Sequence, residues 1–170
     1  VGSEMCIRDS NKISGCINTA DQGGYGWGRI YPNTYLLSLY DQAKDTRYNE
    51  LFVHRFKYND PTSPKYGELI PLTQSSSYCE TLHFMSKKYF DQWTMADNPD
   101  RTTGFKDLIV YRLAETYLMA AEAYMRRDGG MSTDALRCYN KTWERAGNDK
   151  FAGPLTQDIL LDEYARELNF

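Results

Sequence analysis

The chain has 170 residues, of which 41% are hydrophobic and 25% are charged, and this composition is typical of globular proteins rather than disordered or fibrous ones. The formal net charge of -3 argues against a surface that binds nucleic acid through its phosphates. Charged side chains interrupt the most apolar stretch, residues 107–125, so no segment reaches the roughly 18–20 apolar residues of a membrane span.

The first ten residues, VGSEMCIRDS, show neither helical nor strand periodicity, and they lack the basic start and apolar middle of a signal peptide. They are similar to a translated library adapter, so we exclude residues 1–10, including Cys6, from the fold. We expect residues 11–170 to be one partial domain that is truncated at both ends.

A glycine-rich loop, DQGGYGWGRIYP, spans residues 21–32 and displays Tyr25 and Trp27. Pro32 fits at or just before the first turn of a helix, and the apolar spacing that follows predicts a helix to about Lys44. From residue 46 to residue 107 the pattern is irregular and rich in proline, glycine and serine. This composition predicts long loops with a few short strands, and it contains two further loop aromatics, Tyr78 and Trp93.

Three helices are predicted in the last third of the chain. The first covers about residues 107–127 and stops at a Gly-Gly pair, and the second covers residues 132–146 and stops at Gly147. Ser132 or Thr133 is the predicted N-cap of the second helix. The third helix is predicted to begin after Thr156, its N-cap, and to continue to residue 170. The short connection predicts that the first two helices form an antiparallel hairpin.

Two glutamates on the first of these helices raise the question of acid–base catalysis, since glycosidases use a pair of carboxylates. Helical spacing favours ion pairs instead, Arg112 with Glu115 and Glu122 with Arg126, because residues three or four apart are neighbours on a helix. We predict a similar pairing of Glu163 and Glu167 beside Arg166 near the end of the chain. Carboxylates on one packed helix do not face each other across a cleft, so we expect no catalytic residue.

The spacing of the cysteines and histidines does not indicate a metal site. The four cysteines form no C-x-x-C pair, and the two histidines, His54 and His83, are ordinary strand or loop residues by context. We therefore expect no metal site and no cofactor.

The hairpin has a tetratricopeptide-like pattern of small and aromatic residues, in which alanines let the helix axes approach and aromatic rings fill the gaps. The pattern is Tyr117-x-x-Ala120-Ala121-x-x-Tyr124 followed by Ala135-x-x-x-Tyr139. The spacing from the tyrosine to the next alanine is two residues longer than in the usual repeat. A single hairpin cannot bury both of its faces, so we expect neighbouring hairpins upstream.

Several segments, in order, resemble the RagB/SusD family of outer-membrane nutrient-binding lipoproteins of Bacteroidetes over about residues 22–170. They are PNTYLLSLYDQAKDTRY with its Asp-x-Arg turn, the KYFD run at 88–91, VYRLAETYLMAAEAY, ALRCYNKTWERAG and DILLDEYARELNF. Two positions depart from the family pattern, where Trp143 and Tyr164 replace arginines. These departures put a family salt-bridge network in doubt, and we expect the two aromatic rings to pack together.

The resemblance implies a mainly α fold of tetratricopeptide-like hairpins with long loops and a few short strands. It also implies a non-catalytic, surface-exposed protein, anchored to the outer membrane by a lipid at the N-terminus of the full-length form. Such a protein binds oligosaccharides and delivers them to a SusC-like TonB-dependent transporter. Alternatives are a peptide-binding member of the family, a tetratricopeptide-type protein-interaction module and, third, a glycosidase.

The ligand site of such a protein would use aromatic side chains on loops, because sugar rings stack on flat aromatic faces. The candidates are Trp27 first, then Tyr25, with Tyr78 and Trp93 as weaker ones. Asp21, Gln22 and Arg29 could supply polar partners near Trp27. The alternative for each ring is that it anchors its loop to the helical core.

Overall fold

A computed structural model of the chain describes residues 14–17, 19, 32–71, 84–88, 92–98, 107 and 109–169. Contacts divide the chain into two units. Unit 1 comprises Val1–Pro32 and Leu51–Leu108, and unit 2 comprises Asn33–Glu50 and Ile109–Phe170. The helices and strands are α1 (Thr34–Ser38), β1 (Phe52–Val53), β2 (Phe56–Lys57), β3 (Leu69–Ile70), β4 (Met85–Ser86), α2 (Gln92–Asp97), α3 (Leu113–Asp128), α4 (Thr133–Trp143) and α5 (Gln157–Leu168).

Unit 1 contains two small antiparallel sheets. Strand β1 pairs with β4, and β2 pairs with β3, where Phe56 lies opposite Ile70. Cys16, Phe56 and Ile70 form a small buried cluster beside the second sheet. The turn between β2 and β3 closes at Gly67, whose φ of +84° favours glycine. The prediction of a few short strands in this segment is confirmed, but the structure adds the short helix α2, so Trp93 is helical rather than a loop residue.

Unit 2 is built on the α3–α4 hairpin, against which α5 packs. Its core is made of apolar side chains from all three helices and from the segment before α5: Leu118, Ala121, Ala135, Cys138, Tyr139, Leu155 and Leu160. The alanines and Tyr139 occupy the positions that the tetratricopeptide-like pattern assigned to close helix packing. The mainly α, hairpin-based fold class is therefore confirmed.

The helix ends in unit 2 follow local signals. Ser132 caps α4 by accepting from the amide of Ala135, and Thr156 caps α5 by accepting from the amide of Ile159. A short 3₁₀ turn, Glu144–Ala146, extends α4 up to Gly147, whose φ is +86°. These predicted boundaries agree with the structure to within a few residues.

Two predicted helix boundaries are wrong. Helix α1 ends at Ser38 rather than near residue 44, because the Asp41 side chain accepts from the amides of Ala43 and Lys44 and forms a turn there. Helix α3 begins at Leu113 rather than near residue 107, since Arg112 has an extended backbone with φ -146° and ψ 155°. A π-helical turn, Arg47–Leu51, follows the Asp41 turn.

Candidate functional site

Trp93 is the one predicted ligand-binding residue that lies within the described part of the chain. It sits on the short helix α2 in unit 1, and 90% of its surface is exposed. No other large apolar side chain among the described residues is as exposed. Asp97 follows one turn later on the same helix and is also exposed. An indole face open to solvent therefore lies on the same side of a helix as a carboxylate.

The other three predicted ligand-binding residues, Tyr25, Trp27 and Tyr78, lie outside the described residues. The polar partners proposed for Trp27 lie outside them as well. Their roles stay predictions. Of the four candidates, only Trp93 has a described position from which a binding surface can be discussed.

His54 follows β1 and packs against an aromatic ring, as expected of an ordinary loop residue. Its ring stacks on Phe84 with centroids 5.3 Å apart, and burial lowers the pKa of its imidazole. Within the described ranges, no three His, Cys, Asp or Glu side chains are grouped so that they could hold a metal ion.

Arg47 lies at the centre of a buried group of charged side chains in unit 2, which we call the Arg47 cluster: Asp45, Arg47, Glu163, Arg166 and Glu167. Nη1 of Arg47 lies 2.8 Å from Glu163 Oε1 and 3.0 Å from Glu167 Oε2, and Nη2 lies 2.7 Å from Asp45 Oδ2. Burial alone would raise the pKa of the Asp45 carboxyl, but hydrogen bonds from Arg47 and its charge outweigh burial and lower that pKa.

Three further arginines neutralise the two glutamates. Nε of Arg166 donates to Glu163 Oε2 at 2.9 Å. Nη2 of Arg112 lies 2.6 Å from Glu167 Oε1, and Arg145 donates to the same oxygen. Each buried glutamate is thus held by more than one arginine, which is the arrangement that makes buried carboxylates tolerable.

Two of the predicted ion pairs are confirmed, and the ion pairs of Glu167 are with Arg47, Arg112 and Arg145. Glu122 and Arg126 pair at 2.6 Å on the exposed side of α3, and Arg166 pairs with a glutamate of α5 as expected. The predicted pair of Arg112 with Glu115 is wrong, because Arg112 precedes α3 in an extended conformation and its side chain binds Glu167.

Trp143, one of the two departures from the family pattern, lies beside the Arg47 cluster. Its ring stacks on Tyr139 with centroids 5.9 Å apart, and the guanidinium carbon of Arg166 lies 4.9 Å from its centroid. Its indole N–H donates to the carbonyl of Asp149 at 2.7 Å. Trp143 thus stacks on Tyr139, and both Trp143 and Tyr164 pack against the core of unit 2, while their mutual packing stays a prediction. A salt-bridge network is present despite the two aromatic replacements.

A groove of about 440 Å³ lies between α4 and the segment 150–152 in unit 2. Its lining includes the apolar side chains Leu136, Phe151 and Ala152 together with several charged side chains of α4. Its volume falls in the range of small-ligand sites, and six of its nine lining residues are polar or charged. Sequence reasoning missed it, because it depends on how the loop after α4 folds back.

The sequence profile of the SusD family matches residues 4–170. The chain belongs to the SusD family. The match confirms the resemblance noted from the sequence. It includes residues 4–10, which we set aside, and the origin of that segment stays a prediction.

The fold of this SusD-family chain is similar to that of surface glycan-binding protein A from Bacteroides uniformis, with a TM-score of 0.62 and 21% identity. The similarity covers 98% of this chain and 33% of that structure, so the chain spans about a third of its length. No curated protein sequence matches the chain. No helix in the described part of the chain is both long and apolar enough to cross a membrane.

The groove on α4 could have been noticed from one sequence signal in this SusD-family chain. Arg137 and Lys141 are four residues apart, so they lie on the same face of a helix and their charges repel each other. Arg137 is paired with Asp134, so the spacing by itself leaves Lys141 as the cation of this face without a partner on α4. The third cation, Lys150, lies beyond the end of α4 and gave no such signal.

Proposed function

We propose that this SusD-family chain binds oligosaccharides at the cell surface without catalysing a reaction on them. The observation that carries the proposal is the solvent-exposed indole of Trp93 in a chain of this family. The name of the structurally similar B. uniformis protein, a surface glycan-binding protein, supports the same class of ligand.

The chemistry of the Trp93 surface suits a sugar. One face of a pyranose ring consists of polarised C–H groups that pack on an aromatic ring, while its hydroxyls need hydrogen-bond partners at the edge. The carboxylate of Asp97, one turn along α2, accepts hydrogen bonds from such hydroxyls. We propose Trp27, Tyr25 and Tyr78 as further ligand-binding residues of the protein.

Three ion-paired glutamates of unit 2 support a non-catalytic role. Glu122 is paired with Arg126, and Glu163 and Glu167 are buried against arginines. A glycosidase needs two carboxyl groups that face a substrate from opposite sides of the scissile bond, with one of them protonated. The strongly ion-paired glutamates described here do not have that environment.

We further propose that the full-length protein is lipid-anchored at the outer membrane and delivers its ligand to a SusC-like TonB-dependent transporter. Family membership supports this proposal. Copurification of the transporter with the tagged protein from native membranes would support it, and a tagged protein that copurifies with no TonB-dependent transporter would contradict it.

The ligand class can be tested with a glycan array and a peptide array, followed by titration of the best neutral oligosaccharide. Truncating a tryptophan at the centre of a binding surface typically costs 2 kcal/mol or more, so Trp93→Ala is expected to weaken binding at least about 30-fold. Trp93→Phe, which keeps an aromatic face, should retain most of the affinity.

Tyr66→Ala is the matched control, because Tyr66 is also in unit 1 and is 60% exposed. Unchanged affinity in Trp93→Ala would remove Trp93 from the site. A blank glycan array with tight peptide binding would favour the peptide-binding alternative, and turnover of any glycan would overturn the non-catalytic proposal.

A further inference from the structure

The groove on α4, described above, has a floor that is held in place before any ligand binds. Asn140 and Phe151 form a reciprocal pair of hydrogen bonds: the Asn140 amide donates to the Phe151 carbonyl at 2.9 Å, and the Phe151 amide donates to Asn140 Oδ1 at 2.8 Å. The ring of Phe151 also packs against Tyr139, with centroids 5.2 Å apart. A preorganised floor lowers the entropic cost of binding.

The charge around the groove is mainly positive. Arg137, Lys141 and Lys150 line it, against the single carboxylate of Glu144. Arg137 is paired with Asp134 at 2.9 Å, whereas Lys141 and Lys150 form no ion pair with any residue that the structure describes.

The combination of an apolar floor and two available ammonium groups selects a particular kind of ligand. Inorganic phosphate would use the cations but leave the Phe151 floor uncovered, and a neutral sugar would use the floor but leave the cations without an anion. A hexuronic acid residue has both an apolar C–H face and a carboxylate.

We propose that this groove binds a uronic acid residue of an acidic oligosaccharide, with the sugar face on Phe151 and the carboxylate at Lys141 and Lys150. The proposal rests on the proposed function of glycan binding and adds a second subsite, in unit 2, for acidic glycans. This subsite gives the protein a preference for charged over neutral chains.

The test is calorimetric titration of the purified protein with α-1,4-linked trigalacturonate and with its trimethyl ester, which has the same sugar rings without the charge. Each exposed ion pair is worth up to about 1 kcal/mol, so the acid is expected to bind about tenfold more tightly than the ester at low salt. Added salt should reduce that difference.

Substitutions in the groove distinguish the contribution of charge to ligand affinity from that of side-chain size. Lys141→Gln and Lys150→Gln should each weaken binding of the acid about three- to fivefold and leave binding of the ester unchanged. Ala152→Glu places a carboxylate in the exposed part of the lining, so it should weaken binding of the acid more than the size-matched Ala152→Gln does. Lys57→Gln, an exposed lysine of unit 1, is the control for net charge.

Equal affinity for the acid and the ester, or no effect of either lysine variant relative to Lys57→Gln, would overturn the proposal. A tri-glutamate peptide that binds with the same lysine dependence while trigalacturonate does not would also overturn it. These failures are distinct from failure of the proposed function, which depends on binding of neutral glycan and its loss in Trp93→Ala.

Discussion

Replacement of Arg47 by methionine removes the central cation of the Arg47 cluster and keeps a side chain of similar length. Glu163 and Glu167 retain other arginines, but the buried carboxylate of Asp45 is left with the side chain of Asn148 and the backbone amide of residue 47 as its donors. Breaking a buried ion pair by removing one partner costs about 3–5 kcal/mol, because a charge is left buried without compensation. We expect Arg47→Met to lower the free energy of unfolding by this amount.

Urea unfolding followed by far-UV circular dichroism measures the change, and its pH dependence tests the cause. In the native protein the pKa of Asp45 is lowered, so its contribution to stability is present above its unfolded pKa of about 4 and is lost below that. In Arg47→Met, burial is unopposed by the arginine, and the pKa of Asp45 should rise. The stability difference should therefore be largest at neutral pH and should narrow as the pH falls.

Arg126→Met is the matched control, since it removes the same kind of side chain from the exposed Glu122 pair and should cost less than about 1 kcal/mol. Adding Asp45→Asn to Arg47→Met should recover part of the loss, because the orphaned charge is removed. Equal losses for Arg47→Met and Arg126→Met, or a loss in Arg47→Met that is independent of pH, would refute the reasoning.

Two further predictions concern the turn before α4 and the loop that follows it. A Cβ at Gly130 would clash with the carbonyl oxygen of Leu155, so Gly130→Ala should lower the urea midpoint of unfolding. At Gly129 a Cβ would meet open space, but φ +88° with ψ 166° is a conformation essentially limited to glycine, so Gly129→Ala should also cost about 1–3 kcal/mol. An unchanged urea midpoint in either variant would contradict this. Asn140→Ala removes both hydrogen bonds to the Phe151 backbone, so it should lower the free energy of unfolding, measured with urea, by about 1–3 kcal/mol. It should also weaken ligand binding in the groove, as measured by calorimetry. Unchanged stability would show that these bonds do not hold the loop.

The helix ends that sequence reasoning predicted well are those set by local chemistry. Ser132, Thr156 and Gly147 each act through backbone groups within about four residues, and the structure places each of them at the predicted end. The predicted end of α1 near residue 44 failed for a reason that is also local, since Asp41 competes for backbone amides. Tyr40, which continued the apolar spacing, is buried through a contact with the backbone of Arg166 instead.

The ion pairs show where local reasoning stops. Spacing of three or four residues correctly paired Glu122 with Arg126, but Arg112 has its partner 55 residues away and Arg47 has one of its partners 116 residues away. No periodicity in the sequence relates such distant residues. The Asp-x-Arg turn at 45–47 was noticed only as a family likeness, and its role at the centre of a buried cluster was not predicted.

For the candidate binding residues, too, the sequence indicated residue type and local context but not burial or long-range contacts. That Trp93 is an aromatic residue on an irregular segment was visible in the sequence, but its exposure was not, because burial depends on which other segments cover a side chain. The groove on α4 was not predicted at all, since its floor depends on the contact between Asn140 and the backbone of Phe151.

The sequence by itself determined the helical hairpin, its caps and the family, because those signals are carried by side chains acting on their own neighbouring backbone. Only the tertiary structure decided that Asp45 and Arg47 join the glutamates of α5 in one buried cluster, and that Phe151 and two lysines surround one groove. Those arrangements arise from burial and from contacts between segments far apart in the chain, where the free energy of a charge depends on its final surroundings.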